Sequence, residues 1–231
     1  MSARYAIYFT PAHGSPWWTL GAHWLGRDER DNTSLPPPSQ AHVAPAELLE
    51  ITAYPRRYGF HATLKAPFSL NGGLTADDLT ARLHGLAATL KPVVLGPLQV
   101  TSLGDFVALM PTCAGDDLMD LAAACVTGLD DLRAPLSAAD LARRRVEDLD
   151  AREQELLHTY GYPYVLDRFR FHFTLSGPVN PQTAQRVHQA VADPVAQLNA
   201  SSPLVLDRLC LFVEPAPGEP FQRIADAALS A

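Results

Sequence analysis

The chain has 231 residues and a formal net charge of −7 at pH 7, with a pI near 5.5. Hydrophobic residues make up 47% and charged residues 19%, so the chain can bury a sizeable core, and large-scale disorder is not indicated. The acidic balance argues against binding long nucleic acid through a broad basic surface, but it leaves room for a local basic pocket that binds a small anion.

The sequence lacks the signals of export and membrane insertion. Residues 1–10 contain no long apolar core of a signal peptide, and no apolar run approaches the ~20 residues of a membrane span. The cysteines, Cys113, Cys125 and Cys210, are odd in number and far apart, which favours neither a disulfide framework nor a cysteine zinc site. We therefore expect a cytoplasmic protein that does not bind membranes.

The chain opens with a predicted strand and a tryptophan-rich helix. Residues 4–9 form the predicted strand, which a Thr-Pro pair ends. Residues 16–25 contain all three tryptophans, and helical spacing gathers their large apolar side chains on one face, which favours burial over stacking on a ligand. That face comprises Trp17, Leu20, Trp24 and Leu25.

A polar segment separates this helix from the centre of the chain. Residues 26–45 are rich in proline, with three consecutive prolines at residues 36–38, and are expected to form a loop; whether it covers a site is left open. Residues 44–52 follow as a short predicted helix.

The most distinctive stretch of the chain occurs twice. Residues 58–68 (YGFHATLKAPF) and 169–179 (FRFHFTLSGPV) both read aromatic, His, any residue, Thr, Leu, and then a proline four residues after the threonine. In a half-buried strand the side chains at i and i+2 share one face, so each copy is predicted to have a polar row and an apolar row. The polar rows are His61, Thr63 and Lys65 in the first copy and His172, Thr174 and Ser176 in the second.

A third His-x-Ser tripeptide, starting at His13, lacks this context. It lies between Pro11 and Pro16 and contains a glycine, which is typical of a turn. Because so short a motif often arises by chance, the prediction of a functional site depends on the sequence context that His61 and His172 share. An isolated His-x-Thr strand, without a matching copy elsewhere, more often has a structural role in which the imidazole hydrogen-bonds a neighbouring residue.

Each motif is followed by the same order of elements. After the first, Thr75 caps a predicted helix with leucines on one face, and residues 98–103 and 106–110 form a predicted hairpin. After the second, Asn180 caps a predicted helix that runs towards Pro194, and two further strands follow. Those strands are predicted over residues 204–213 and from near Phe221.

The repeated strand–helix–hairpin order predicts an internal duplication. The expected fold is α+β: one bilobal domain over residues 1–231, with two pseudo-symmetric lobes whose antiparallel sheets form a central groove, and with helices outside. Sheets that meet edge to edge would bring the two polar rows together across that groove. The predicted parts are a first unit at about residues 58–110, a helical insert at about 115–160 and a second unit at about 164–228.

Two histidines that face each other suit paired proton transfer, because imidazole titrates near neutral pH. One of His61 and His172 would take a proton from water or a hydroxyl, and the other would give one to a leaving oxygen. Thr63 and Thr174 would hydrogen-bond the negative charge that develops in phosphoester cleavage. The basic side chains expected to offset phosphate charge are Lys65, Arg57 and Arg170.

Aromatic residues beside the motifs are further candidates for substrate contact. Tyr58, Tyr162 and Tyr164 are candidates to line the groove, although Tyr162 and Tyr164, which flank a proline at a helix end, equally suit packing. The arginine run at residues 143–145 is typical of a solvated helix face.

Longer strings resemble the two-histidine (2H) phosphoesterase superfamily, whose members carry two His-x-Thr/Ser motifs on two lobes of a duplicated α+β fold. The similarity covers nearly the whole chain and is to a bacterial branch associated with phosphonate utilisation. It implies that His61, Thr63, His172 and Thr174 are catalytic, that no metal or other cofactor takes part, and that the substrate is a cyclic phosphate of ribose or a nucleotide. The strings are RYAIYF at residues 4–9, WLGRD at 24–28, YGFHATLK at 58–65 and GYPY at 161–164.

The residues leave three functions open. The leading hypothesis is a metal-independent cyclic phosphodiesterase. The alternative is a groove that binds a phosphorylated metabolite or RNA end without cleaving it. The third is a metal hydrolase with His61 and His172 among its ligands, although neither motif offers a His-x-His pair and metal sites usually need three or four ligands.

Overall fold

The computed structural model describes residues 3–39, 42–142, 144 and 146–231. This part of the chain combines a seven-stranded antiparallel sheet and a two-stranded sheet with helices, which confirms the predicted α+β class. None of the helices in the described ranges has the length and hydropathy needed to cross a bilayer.

Strands and helices follow one another in two similar series, one in each half of the chain. The strands are β1 (Arg4–Phe9), β2 (Ala62–Phe68), β3 (Val93–Val94), β4 (Leu98–Leu103), β5 (Phe106–Pro111), β6 (Phe173–Thr174), β7 (Val205–Leu206), β8 (Arg208–Glu214) and β9 (Gln222–Ala228). The α-helices are α1 (Pro16–Leu25), α2 (Pro45–Ile51), α3 (Ala53–Arg56), α4 (Ala76–Ala87), α5 (Asp116–Thr127), α6 (Ala138–Ala142), α7 (Ala151–Tyr160) and α8 (Pro181–Ser201).

The strand order of the large sheet, β4-β5-β6-β2-β1-β8-β9, shows how the two halves are combined. The first motif strand, β2, lies on the side of the β8–β9 hairpin, whereas the second, β6, pairs with β5 of the β4–β5 hairpin. The second motif strand therefore pairs with the hairpin of the first unit, and β1 separates the first motif strand from the hairpin of the second. The helices also contact the hairpin of the other unit, because α4 contacts β8 and β9 while α8 contacts β4 and β5. The halves meet where β2 pairs with β6.

The helices cover one face of this sheet, and the alternation along β1 identifies the other face. Ile7 and Phe9 are buried in the main core together with residues of α4 and α8. Tyr8, which points the opposite way, belongs to a separate small cluster with Phe212. The ring of His61 lies 3.9 Å from that of Tyr8, so the first motif opens on the face opposite the main core.

Burial of the tryptophans confirms the prediction for α1. All three rings are buried, and two of them tie the helix to distant segments. Trp24 Nε1 donates to the carbonyl oxygen of Leu175 at 2.8 Å, and Trp17 Nε1 donates to that of Ser202 at 2.7 Å. These indole groups pack and anchor α1, and they are not free to stack on a ligand.

Local capping signals set the starts of the two long repeat helices. Thr75 and Asp78 form a capping box before α4, and the Asn180 side chain accepts from Thr183 N before α8. The predicted stop near Pro194 is wrong, since α8 continues to Ser201. Packing offsets the hydrogen bond that proline removes, because a buried valine stripe runs past it. The stripe is Val187, Val191 and Val195.

Candidate active site

The two motif histidines open onto one cleft with a volume of about 610 Å³. His61 directly precedes β2 and His172 directly precedes β6, and Thr63 and Thr174 line the same cleft. The structure therefore brings the four predicted catalytic residues together, while their catalytic role stays a prediction. The second motif forms a strand of only two residues, shorter than the sequence indicated.

Each imidazole is held by the same backbone hydrogen bond. Nδ1 of His61 lies 2.9 Å from the carbonyl oxygen of Gly59, and Nδ1 of His172 lies 2.7 Å from that of Arg170. Because a carbonyl oxygen can only accept, Nδ1 carries the hydrogen in both rings, which leaves Nε2 of the neutral ring as a proton acceptor. In the first motif, Thr63 Oγ1 lies 3.3 Å from Nε2 of His61.

A left-handed glycine supplies the carbonyl that orients His61. Gly59 has a φ of +79°, a backbone conformation that side chains disfavour. A Cβ atom here would also lie 2.7 Å from Cβ of Glu29. The position therefore requires glycine for two separate reasons.

Burial lowers the pKa of both imidazoles. The pKa of His61 falls to about 4 because the ring is buried; the charge of His172 lowers it further, and the bond to Gly59 opposes the shift. The pKa of His172 is lowered by burial and then by the nearby Arg170, against its own backbone bond. Both rings are therefore mainly neutral at pH 7.

The prediction that Lys65 lies on the polar row is wrong, because β2 contains a bulge. Consecutive residues of β1 pair with Thr63 and Lys65, so Leu64 is an extra residue that shifts the alternation. The buried Lys65 ammonium donates instead to the carbonyl oxygen of Val126 at 2.9 Å and to Asp130 at 3.0 Å. It does not line the histidine cleft.

The two predicted arginines differ in their surroundings. Arg57 pairs with the buried carboxylate of Glu214, lies over the ring of Tyr58 at 5.4 Å and lines a neighbouring cavity rather than the histidine cleft. Arg170 is exposed, and it is close enough to His172 to lower the pKa of that ring. Neither side chain lines the histidine cleft, and their roles in substrate binding stay predictions.

Four tyrosines line the cleft, Tyr8, Tyr54, Tyr58 and Tyr162, and the sequence marks Tyr58 and Tyr162 among them as candidates. Tyr58 lines it, with its ring 5.8 Å from that of His61. Tyr164 is 47% exposed and lies outside the lining, so its predicted placement is wrong. Tyr162 lines the cleft instead and meets Tyr164 edge-on at 5.6 Å.

Sequence reasoning missed several side chains in the cleft wall, including an arginine or a tyrosine on each of three segments. Arg4 on β1, Tyr54 on α3 and Arg144 after α6 all line it. The Arg144 guanidinium lies 5.1 Å from the ring centre of Tyr162, although its run was predicted to form a solvated face; the other two arginines of the run lie outside the described residues. No local pattern marks these three, because only the folded chain brings them to the motifs.

The proline-rich segment packs at the side of the sheet. Within residues 26–39 and 42–45, no side chain lines the histidine cleft, so this part of the loop does not cover it. Residues 40 and 41 lie outside the described residues. Glu29 is buried and pairs with Arg223 at 3.2 Å. Arg27 uses its guanidinium to hold the chain before Gly59 and the start of β9. Its acceptors are the carbonyl oxygens of Arg56, Arg57 and Phe221.

The remaining candidate ligand groups do not gather into a further site. Within the described ranges, no three His, Cys, Asp or Glu side chains converge as a metal site would require. The three thiols are free, and Cys125 and Cys210 are buried in the core. Burial raises the pKa of the Cys125 thiol to about 12, which favours the unreactive protonated form. Metal independence itself stays a prediction.

Comparison with known proteins identifies relatives over nearly the whole chain. The family described as "Protein of unknown function (DUF1045)" matches residues 63–222. Ribose 1,5-bisphosphate phosphokinase PhnN of Janthinobacterium sp. (strain Marseille) is 41% identical over 224 residues, which are 94% of this chain and 49% of the relative. The protein of the same name from Laribacter hongkongensis (strain HLHK9) is 35% identical over 219 residues, 95% of this chain and 50% of the relative. The chain thus spans about half the length of these relatives.

A solved structure shows only distant similarity. The crystal structure of a conserved protein of unknown function from Agrobacterium tumefaciens str. C58 aligns with 97% of this chain and 86% of its own chain. The identity is 14% and the TM-score is 0.41, so this similarity bears on neither fold nor function.

Proposed function

This chain belongs to the DUF1045 family of proteins of unknown function, and we propose that it is a metal-independent cyclic phosphodiesterase that opens a cyclic phosphate of a small ribose phosphate. The observation that carries the proposal is a single cleft in which two imidazoles, each oriented through Nδ1, lie beside two threonines. The resemblance of the motif strings to the 2H phosphoesterases supports the same reaction.

His61 is the base in the proposed reaction. Its pKa of about 4 keeps Nε2 unprotonated near neutral pH, so this atom can accept a proton from water. As the proton leaves, the water oxygen forms a bond to phosphorus. The Thr63 hydroxyl, 3.3 Å from Nε2, is placed to turn towards the phosphoryl oxygens and to stabilise their developing charge.

His172 is the acid. Its pKa is lowered in the empty cleft, but an anionic phosphodiester within a few ångströms favours the protonated ring and raises that pKa. Nε2 of the charged ring then gives its proton to the ribose oxygen while the bond between that oxygen and phosphorus breaks. The products are a phosphate monoester and a free hydroxyl. A proton passes to solvent from His61 and another returns to His172, so both rings regain their starting states.

The relatives support a ribose phosphate as the substrate class. The name of each includes ribose 1,5-bisphosphate, but phosphokinase is a different reaction from hydrolysis. Both lysines of this chain, Lys65 and Lys91, follow a leucine, so the chain lacks the Gly-Lys pair of a P-loop that cradles nucleotide phosphates. We infer that phosphotransfer in the relatives belongs to the portion that this chain does not match.

The test is turnover of 2′,3′-cyclic nucleotides and of ribose cyclic phosphates, followed by ³¹P NMR. We expect His61→Ala and His172→Ala each to lower turnover by about 100-fold or more while the fold, measured by circular dichroism, is kept. His188→Ala is the matched control, since His188 bonds Ser102 outside the cleft. Wild-type turnover should also survive a chelator. Turnover that is undiminished in either cleft variant would remove the proposal.

Binding without cleavage is the second candidate. It is favoured by the lowered pKa of both imidazoles. Two neutral rings cannot donate the proton that cleavage needs until a bound anion raises one of the two pKa values. Under this alternative, a cyclic phosphate that binds the wild-type protein is recovered intact after prolonged incubation.

A further inference from the structure

We infer that the histidine cleft continues into a second anion-binding subsite, so that the ligand carries two phosphate groups on one ribose. This inference rests on the proposed function for the group that reacts at the histidines. The chemistry of the second group follows from the charge and shape of the adjoining cavity. The subsite consists of Arg4, Arg57, Arg133 and Arg144 with Tyr58 and Tyr162.

The two cavities adjoin each other along a shared wall. The second has a volume of about 840 Å³, and it shares several wall residues with the histidine cleft. Both volumes lie in the range of small-molecule sites, so a phosphorylated sugar can extend from one to the other. The shared side chains that bear polar groups are Arg4, Tyr54, Tyr58, Arg144 and Tyr162.

One end of the subsite has two guanidinium groups for a single carboxylate. Arg4 and Arg57 both pair with Glu214, whose side chain is 0% exposed, whereas theirs are 30% and 27% exposed. Glu214 also accepts from the backbone N–H of Gly218 at 3.0 Å. The buried carboxylate of Glu214 thus accepts from three donors, and the side chains of Arg4 and Arg57 line the cavity. Nη1 and Nη2 of Arg4 make no hydrogen bond to any described residue, which leaves donors for a phosphate.

A second carboxylate beside the subsite is also shared by two basic side chains. Lys65 and Arg133 both pair with Asp130, at 3.0 and 2.9 Å. Asp140 is the one acidic residue among the described residues of the wall, which include five basic ones. After Asp130, Asp140 and Glu214 are counted, the described residues of the cavity retain an excess of two positive charges, and this excess favours a phosphate monoester over a neutral group.

The tyrosines suit the sugar that would join the two phosphates. Tyr58 and Tyr162 line both cavities and supply aromatic rings and hydroxyl groups to the shared wall. Tyr54 packs beside Tyr58, with a centroid distance of 5.6 Å, and extends this wall. Apolar rings between two anion sites match a ribose between two phosphates.

The test measures binding, which does not require turnover. Ribose 5-phosphate and ribose 1,5-bisphosphate are titrated into the full chain by calorimetry, and we expect the bisphosphate to bind at least about tenfold tighter. Arg57→Gln should remove most of that advantage, because Arg4 still neutralises Glu214 and the fold is kept; Arg57→Lys should retain part of it. Arg144→Gln is the second variant. Arg82→Gln is the matched control, since Arg82 pairs with Asp131 and lines neither cavity.

The outcomes separate this inference from the proposed function. Equal affinity for the two sugars, or an advantage that persists in both Arg57→Gln and Arg144→Gln, would overturn the second subsite. If cyclic phosphates are opened with no gain from a 5-phosphate, the subsite also fails while the phosphodiesterase stands. If the bisphosphate advantage depends on Arg57 but no cyclic phosphate is opened, the subsite stands and the phosphodiesterase fails.

Discussion

Ala62 pairs with Phe173 across the antiparallel strands β2 and β6. In such a ladder the neighbours of a pair also lie opposite each other, so this register sets His61 across from Thr174 and Thr63 across from His172. Directly opposite side chains have Cβ atoms about 5 Å apart, and diagonal ones about 7 Å apart. This register agrees with the shared cleft, which both imidazoles and both threonines line.

Removing a threonine hydroxyl without changing its shape should slow the reaction. We expect Thr63→Val and Thr174→Val each to lower kcat by about 10- to 100-fold, because each removes one donor to the developing phosphoryl charge. Thr63→Ser and Thr174→Ser keep the hydroxyl and should retain most activity. Steady-state kinetics with a cyclic phosphate measures this, and a valine variant with wild-type kcat would contradict the role.

The pH profile of kcat/KM should peak on the acidic side of neutrality. Activity falls at low pH as His61 takes a proton near its pKa of about 4, and it falls at higher pH as His172 loses one at a pKa below 6.5. Because a bound anion raises the pKa of His172, the alkaline limb of the kcat profile should lie at higher pH than that of kcat/KM. A kcat/KM that climbs steadily to pH 8 would refute the assignment of the acid.

The half-buried, neutral His61 should make stability depend on pH. Its folded pKa of about 4 is lower than the unfolded value near 6.5, so its contribution is complete above pH 6.5 and is lost as pH falls towards 4, while the unfolded chain takes up the proton. Relative to His61→Gln, the wild type should lose about 2 kcal/mol of unfolding free energy between pH 7 and 5. Urea unfolding at the two pH values measures the free energy of unfolding. An equal change of that free energy in the wild type and in His61→Gln would contradict the prediction.

Gly59→Ala should damage both the fold and the site. The substitution forces a side chain into a φ of +79° and against Glu29, at a cost of about 1–3 kcal/mol. It also displaces the carbonyl that orients His61, so kcat should fall more than stability alone explains. Gly72→Ala is the control, because a Cβ there meets nothing within 4 Å. Thermal melts and steady-state kinetics of both variants test this. Equal Tm and equal kcat in the two variants would contradict the role assigned to Gly59.

Local signals in the sequence determined the helix starts, several strands and the motif pair. The strand Arg4–Phe9 and the hairpin of Leu98–Leu103 with Phe106–Pro111 lie within a residue of their predicted bounds. Thr75 and Asn180 cap the helices assigned to them. These features depend on residues close in the chain, so a single sequence is enough to predict them.

Only the tertiary structure decided which side chains share the cleft. The bulge at Leu64 depends on the pairing of β2 with β1, and it moves Lys65 from the predicted polar row to Asp130. Arg4 and Arg144 reach the cleft through contacts between segments far apart in sequence. Alternation along one strand holds only while its partner keeps the register, and that register belongs to the assembled sheet.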